Sequence, residues 1–263
     1  MITVTDARNQ IIQLAMPARR IVSLVPSTTE SILDFGCQQH LLGITRYCPR
    51  DLCPQATLVG GTKDLEMDRL VALQPDLILG NIEENTPQLF AQLEAAGFPL
   101  YAAFPHHVDE AIHELLQLGR LVGKQQKAQE WQQKINRLRP QHSQPSFNFI
   151  YVIWRNPWMA VNGNTFISNL LEEAGGINHF ASQQPRYFEF QWDDVKDLQN
   201  TYVLLSSEPS PFRQKHRLEW HEQTSTNMDN IRLIDGAMCS WHGTRIAQAL
   251  DYLRFFFAPS RSS

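Results

Sequence analysis

The 263-residue chain reads as an α/β protein made of two similar lobes, each a mostly parallel sheet covered by helices. Three observations predict this. Strand and helix signals alternate with short links, the pattern of parallel strands joined by helical crossovers. At a fixed offset of 125, "DRLVALQPDLILG" from Asp68 faces "DDVKDLQNTYVLLS" from Asp193, matching Leu73 to Leu198 and Gln74 to Gln199. Each of these is a short helix leading directly into a buried strand. Finally, a polar helix and the linker "PQHSQPS" (140–146) separate the halves. The expected boundaries are a lobe over 1–122, a connecting helix and linker over 123–146, and a lobe over 147–263. Two lobes joined once by a helix would leave a cleft for a ligand.

The elements follow in order. "ITVTDA" and "QIIQLA" form a hairpin turning at Arg8-Asn9, which leads through Pro17 into a strand over Arg20–Val25. In "SLVPSTTESILDFG" the strand meets Pro26, three hydroxyl residues and a helix that Gly36 ends. Ser27 with Glu30 three residues later fits a capping box. A strand-to-helix turn is also where α/β folds bind ligands, so both uses of Ser27 and Thr28 stay open. "LLGITRY" (41–47) is a strand entering a loop. The next helix puts Leu65, Leu70, Val71 and Leu73 on one face and stops at Pro75, before a buried strand at Leu77–Leu79. Thr86 caps a helix with Pro87 at its first position and Gly97 at its end, and Leu100–Ala103 is a strand.

From Val108 the pattern becomes helical. "VDEAIHELLQLGRLVG" buries Ile112, Leu115, Leu116 and Leu121. "KQQKAQEWQQKINRLR" carries only Ala128, Trp131, Ile135 and Leu138 at helical spacing, so most of its surface faces solvent or it bridges two bodies. The second half opens with the strand "FNFIYVIWR". It continues through the helix "TFISNLLEEAGG", a short helix "WDDVKDLQ", the strands "TYVLLSS" and "IRLID", and the closing helix "TRIAQALDYLRFFF".

Composition limits the function classes. Hydrophobic residues at 43% and charged residues at 19% are those of a globular chain. A net charge of −4 without a basic stripe argues against a nucleic-acid partner. No apolar run approaches the roughly 20 residues that span a bilayer. The first residues lack the basic start and apolar stretch of a signal peptide. Cys37, Cys48, Cys53 and Cys239 make no disulfide framework; Cys48 and Cys53 could pair in an oxidising compartment, or all four are free thiols.

"RIVSLVPSTTESILDFG", "GGTKDLEMDRLVALQPDLILG" and "LIDGAMCSWHGTRIAQALDYL" together resemble the cobalamin- and iron-siderophore-type substrate-binding proteins of ABC importers, the helical-backbone group of periplasmic binding proteins. The resemblance covers nearly the whole chain, and "YVIWRNPWMAVNGNTFI" is most similar to the cobalamin-binding branch. It implies two Rossmann-like lobes joined by a single long backbone helix, with the ligand in the cleft between them. It also implies a monomer that delivers cobalamin, a related metal-tetrapyrrole or a ferric siderophore to a permease dimer. A periplasmic receptor is exported, whereas no signal peptide precedes Met1; either that signal has been removed or the protein acts in the cytosol, as a cobalamin or haem carrier without a transporter.

A corrin-like ligand offers wide apolar faces and polar edges, which call for aromatic planes and a few donors. In the first lobe the candidates in loops after strands are Ser27, Thr28, Arg46, Tyr47, Thr62, Glu83, Phe104 and His106. In the second they are Trp154, Arg155, Trp158, Tyr187, Glu208, Trp241 and His242. Any one of these aromatics could equally be core packing. No direct metal-ion site is expected, because His106-His107 with His113, and His216 with His221, lack ligand spacing. An axial bond from His106 or His242 to a metal already held in a macrocycle stays open. No nucleophile elbow, phosphate loop or G-x-G-x-x-G motif supports an enzyme, and no intrinsic cofactor is expected. Asp68 and Asp193 occupy matching positions at helix starts. They serve either the helix dipole or, as the resemblance implies, docking to arginines of the permease.

Overall fold

The computed structural model describes residues 1–140, 146–196, 198 and 200–258. They divide into two compact units. One comprises Met1–Pro105, Asp109–Asn136 and His242–Arg245; the other comprises His106–Val108, Arg137–Trp241 and the residues from Ile246 onward. The expected linker at 140–146 falls almost wholly outside the described residues, as does Gln199.

In the first unit, β1 (Ile2–Thr5) and β2 (Ile11–Leu14) form the predicted antiparallel hairpin. The parallel sheet contains β3 (Ile21–Ser23), β4 (Leu41–Ile44), β5 (Thr57–Leu58), β6 (Leu77–Asn81) and β7 (Leu100–Ala103) in the order β5-β4-β3-β6-β7. All its pairings are parallel. The chain leaves β3 toward β4 and leaves β6 toward β7, so the direction of winding reverses between β3 and β6. At such a switch point the C-terminal strand ends leave a crevice. The exposed edge of β7 is covered by the hairpin: the Ala7 N–H bonds to Ala102 O at 3.0 Å, and the buried Asp6 carboxylate accepts from Ala102 N at 3.2 Å.

Helices α1 (Pro26–Asp34), α2 (Met67–Leu73), α3 (Pro87–Ala95), α4 (Val108–Leu121) and α5 (Gln125–Leu138) belong wholly or mainly to this unit. Thr86 caps α3 as the sequence predicts, its side chain accepting from Leu89 N. α5 buries Ala128 and Ile135. Two expectations are corrected. In α1 the N-cap is Val25 and Pro26 takes the first helical position, so Ser27 lies inside the first turn and makes no capping box. Pro has no N–H to lose there, which moves the helix start one residue ahead of the hydroxyls. In α2 only Leu70 is fully buried and Val71 is exposed, because so short a helix presents a single narrow stripe.

The second unit holds β8 (Phe147–Trp154), β9 (Met159–Val161), β10 (Gly176–Asn178), β11 (Tyr187–Glu189), β12 (Thr201–Ser206) and β13 (Ile231–Ile234). Their order is β11-β9-β8-β12-β13, with β10 also paired to β8. β8, β10, β12 and β13 are mutually parallel, and β9 and β11 add an antiparallel edge. The helices are α6 (Phe166–Glu173), α7 (Gln214–Thr224), α8 (Gly236–Ser240) and α9 (Arg245–Phe256). The segment "WDDVKDLQ" forms only a 3-10 turn over Trp192–Val195, with Val195 its one buried residue. Asp194 turns back to accept from Gln191 N at 2.8 Å, closing a capping box that fixes the start of the turn, and the chain is already extended at Lys196. α7 has no apolar stripe: Trp220 alone is buried. The core of the second unit packs the rings of Phe180, Phe188, Phe190, Phe212 and Trp220 against strand residues such as Ile150, Val152, Val203 and Leu205.

All four cysteines are free and buried. No helix among the described residues is long and apolar enough to cross a membrane.

Candidate functional site

The three hydroxyls after Pro26 divide between anchoring and the crevice. Thr29 is completely buried; its hydroxyl donates to Val25 O at 2.9 Å and lies 2.8 Å from Ser23 Oγ, which fixes α1 to the end of β3. Ser27 instead faces His242, its Oγ 3.4 Å from the ring Nε2. The same Nε2 lies 3.3 Å from Asn81 Nδ2 at the end of β6. An amide nitrogen only donates, so Nε2 accepts and the ring proton sits on Nδ1. His242 therefore spans the switch point of the first sheet, with Ser27 on the β3 side and Asn81 on the β6 side. Desolvation by burial pulls its pKa down to about 4, so the ring is neutral near pH 7.

Local structure holds this cluster. Asn81 Oδ1 accepts from Glu83 N at 2.7 Å, so one side chain shapes its own loop and fixes the histidine. Gly243 has φ +75, and a Cβ there would meet Ser31 Oγ at 2.2 Å, a place only glycine fits. Ser31 Oγ accepts from Thr244 N at 3.2 Å. Arg245 binds the Glu30 carboxylate at 2.8 and 2.6 Å. Glu30, expected in a capping box, thus ties the 242–245 segment to α1. With its Nε2 engaged by Asn81, His242 would have to give up that bond to become an axial ligand through that atom.

The other first-unit candidates spread along the strand ends. After β4, Arg46 pairs with Asp64 at 2.8 Å and its guanidinium lies 6.0 Å from the ring of Tyr47, which is 58% exposed. Thr62 is buried, its carbonyl accepting from Asn85 Nδ2 at 2.8 Å. Glu83 is exposed. Phe104 is half-buried, and its N–H donates to Glu114 Oε1 at 2.7 Å. His106, which belongs to the second unit, packs edge-on to His107 with centroids 6.4 Å apart.

In the second unit, Trp154 ends β8 and is 41% exposed. Arg155 is committed to Glu219, with Nε–Oε2 and NH2–Oε1 both at 2.8 Å. Trp158, expected as an open stacking plane, is half-buried among Phe212, Trp192 and Trp220, with centroids 5.7, 5.0 and 5.4 Å away. Tyr187 is half-buried beside Arg186 at 5.6 Å. Beyond β12, Glu208 Oε2 accepts from Trp241 Nε1 at 3.2 Å. Asp68 is exposed in the first turn of α2. Asp193 is exposed and ion-paired to Lys196, whose hydrogen bond and charge lower its pKa.

Sequence reasoning missed Asn81 and Glu114. Asn81 carried a signal, as a polar residue closing the buried run "LILGN" at a strand end. Glu114 carried none, being one acid among several on an amphipathic helix.

A parallel sheet with a hydrogen-bonded polar cluster at its switch point is a small-molecule-binding architecture. Comparison with known proteins is more specific: residues 21–232 match the family described as Periplasmic binding protein, and the chain belongs to that family. The vitamin B12-binding protein of Yersinia pestis (strain Pestoides F) is 27% identical over 203 residues, covering 74% of this chain and 72% of the relative. That of Yersinia pseudotuberculosis serotype O:3 (strain YPIII) is 29% identical over the same length and shares. Among solved structures, the periplasmic vitamin B12 binding protein BtuF of Vibrio cholerae superposes with TM-score 0.76 at 22% identity, covering 91% of this chain and 96% of that one. A periplasmic heme binding protein from Pseudomonas aeruginosa also gives 0.76 at 22% identity, covering 93% and 94%. At these identities the superpositions establish the fold.

Proposed function

We propose that this chain is the periplasmic solute-binding component of an ABC-type importer, that it binds cobalamin or a related metal-tetrapyrrole, and that it catalyses no reaction. The observation that carries the reading is the family match, joined to curated relatives named as vitamin B12-binding proteins. The chemistry of the strand ends agrees with it. Tyr47 and Trp154 leave large aromatic faces in solvent at the C-terminal ends of parallel strands. Such rings suit the flat face of a macrocycle. The start of α1, whose N-cap Val25 supplies no side-chain acceptor, offers backbone donors to polar edges of the ligand. Asp68 and Asp193 would present carboxylates to permease arginines and fix orientation more than affinity. Asp193 must first release Lys196.

The test is titration with cyanocobalamin, haemin and a ferric hydroxamate siderophore, followed by tryptophan emission and melting temperature. Saturable quenching and a ligand-dependent rise in Tm with cyanocobalamin are expected. A response to haemin alone moves the assignment to haem, and one to the siderophore alone to the iron branch. Failure of all three overturns the proposal. For docking, Asp68→Lys combined with Asp193→Lys should keep ligand binding and abolish importer-dependent uptake.

A further inference from the structure

Within the first unit, a cavity of about 20 Å³ lies beneath the switch point, and its lining includes Thr28, Ser31, Tyr101, Glu114, Leu118 and His242. On this measure a water molecule needs roughly 10–15 Å³, so the space suits one water and is too small for an organic group. Glu114 projects from α4. Its Oε1 accepts from Phe104 N at 2.7 Å, whereas its Oε2 is buried without a hydrogen-bond partner among the described residues. A buried carboxyl oxygen left unpaired is costly. The same cavity offers the hydroxyl-bearing Thr28 and Tyr101, both buried.

We propose that this cavity is a one-water site, in which a single water bound to Glu114 Oε2 and to the hydroxyls of Thr28 and Tyr101 completes a hydrogen-bonded hub beneath Phe104 and His242. The hub joins α4, β7 with the loop after it, and the first turn of α1 through one water.

The protonation of Glu114 follows from the same geometry. Burial pushes its pKa up to about 8, opposed by the Phe104 N–H and reinforced by Glu110 on its own helix and Asp6 in the hairpin turn. The other titratable groups lining the cavity are the Tyr101 phenol, itself raised by burial, and the neutral His242. Near pH 7 the carboxyl therefore keeps its proton. Because Oε1 accepts from Phe104, that proton sits on Oε2 and is donated to the water, which is left free to donate onward to the hydroxyls.

The direct test is a high-resolution crystal structure of the whole chain at pH 7. Density for one water within hydrogen-bonding distance of Glu114 Oε2 is expected, and a dry cavity overturns the proposal. A second readout is the melting temperature of the wild type and of Glu114→Gln between pH 4.5 and 9. The carboxyl is protonated in the native state and ionised when unfolded over the window from about 4.5 to 8, so the stability it contributes is lost as pH rises through it. Gln keeps the acceptor for Phe104 and a donor for the water but does not titrate, so its Tm advantage should grow across that window and level off above it. Parallel curves overturn the hub. A Tm that rises with ammonium chloride and not with sodium chloride overturns the assignment to water in favour of a bound ammonium ion of the same size.

Discussion

The two sheets reverse their winding in the same way, between β3 and β6 in one unit and between β8 and β12 in the other, yet the strand ends at the two places carry opposite chemistry. In the first sheet a neutral histidine is held by short polar side chains, Ser27 and Asn81. In the second, Trp154 and the Arg155–Glu219 pair follow β8, and Glu208 bonded to Trp241 follows β12. Behind them stands a cluster of interlocked rings. The first arrangement depends on hydrogen bonds to a group that titrates. The second depends on packing, on the Arg155–Glu219 ion pair and on the bond from Trp241 to Glu208. The contrast teaches that topology sets where a crevice opens, while its sensitivity to pH is decided by the few side chains that fill it.

The largest effect should come from the second unit. Trp220 is fully buried, edge-on to Trp158 and Trp192 with centroids 5.4 and 5.3 Å away. Trp220→Ala should cost about 3–5 kcal/mol of stability, with a loss nearly independent of pH. Trp220→Phe should cost far less, because the indole Nε1 is buried with no partner among the described residues and its removal abolishes an orphan donor. Chemical denaturation of both variants at pH 5 and pH 8 measures this. A strongly pH-dependent loss in Trp220→Ala would break the contrast.

The sequence disclosed the first unit more fully than the second. Hairpin, caps and buried runs are local signals, so "LQPDLILG" and Thr86-Pro87 announced β6 and α3 without any long-range information. α7 and β9 to β11 were not legible. "QKHRLEWHEQT" places one large apolar residue on an otherwise polar helix, and the short β9, β10 and β11 are defined only by their pairing with β8 and with each other. The site divides similarly. Hydroxyl, aromatic and histidine residues at strand ends were visible as residue types, but their partners were not. Ser27 and His242 lie far apart in sequence, and nothing local told that Glu30 would take Arg245 rather than a backbone N–H.

The middle effect sharpens the pH side of the comparison. Burial lowers the pKa of His242 from 6.5 to about 4. The unfolded chain then binds more protons than the folded one between those values, so stability is present above pH 6.5 and lost as pH falls toward 4. At 1.36 kcal/mol for each unit of pKa difference, the loss is at most about 3 kcal/mol. Glu114 contributes in the opposite direction between about 4.5 and 8, so the two slopes cancel from about 4.5 to 6.5. The wild type should therefore hold a plateau over that range and lose stability above it. His242→Gln, which keeps a polar contact for Asn81 without titrating, should leave the Glu114 slope unopposed, so that stability rises as pH falls from about 6.5 to 4.5 where the wild type is flat. Thermal melts from pH 4 to 7 measure it, and a variant profile parallel to the wild type would remove His242 from the pH-sensitive cluster.

The smallest effect compares three hydroxyl residues at three helix starts. Thr86 and Thr165 are true N-caps, one in each unit, accepting from Leu89 N and Ser168 N at 3.2 Å. Each Thr→Ala change should cost about 1 kcal/mol, more for Thr165, which is fully buried and also donates to Asn162 O at 3.0 Å. Ser27 is no cap, because Val25 occupies that position, and its contact with His242 at 3.4 Å is long. Ser27→Ala should therefore cost only a few tenths of a kcal/mol at pH 7, well below a lost cap. It should also raise no new pH dependence, since Asn81 still donates to the imidazole. Equilibrium unfolding of the three variants in parallel separates the alternatives. A loss for Ser27→Ala equal to that for Thr86→Ala would restore a capping role to Ser27. A negligible loss accompanied by weaker cyanocobalamin binding would place its hydroxyl at the ligand, the role that sequence alone left open.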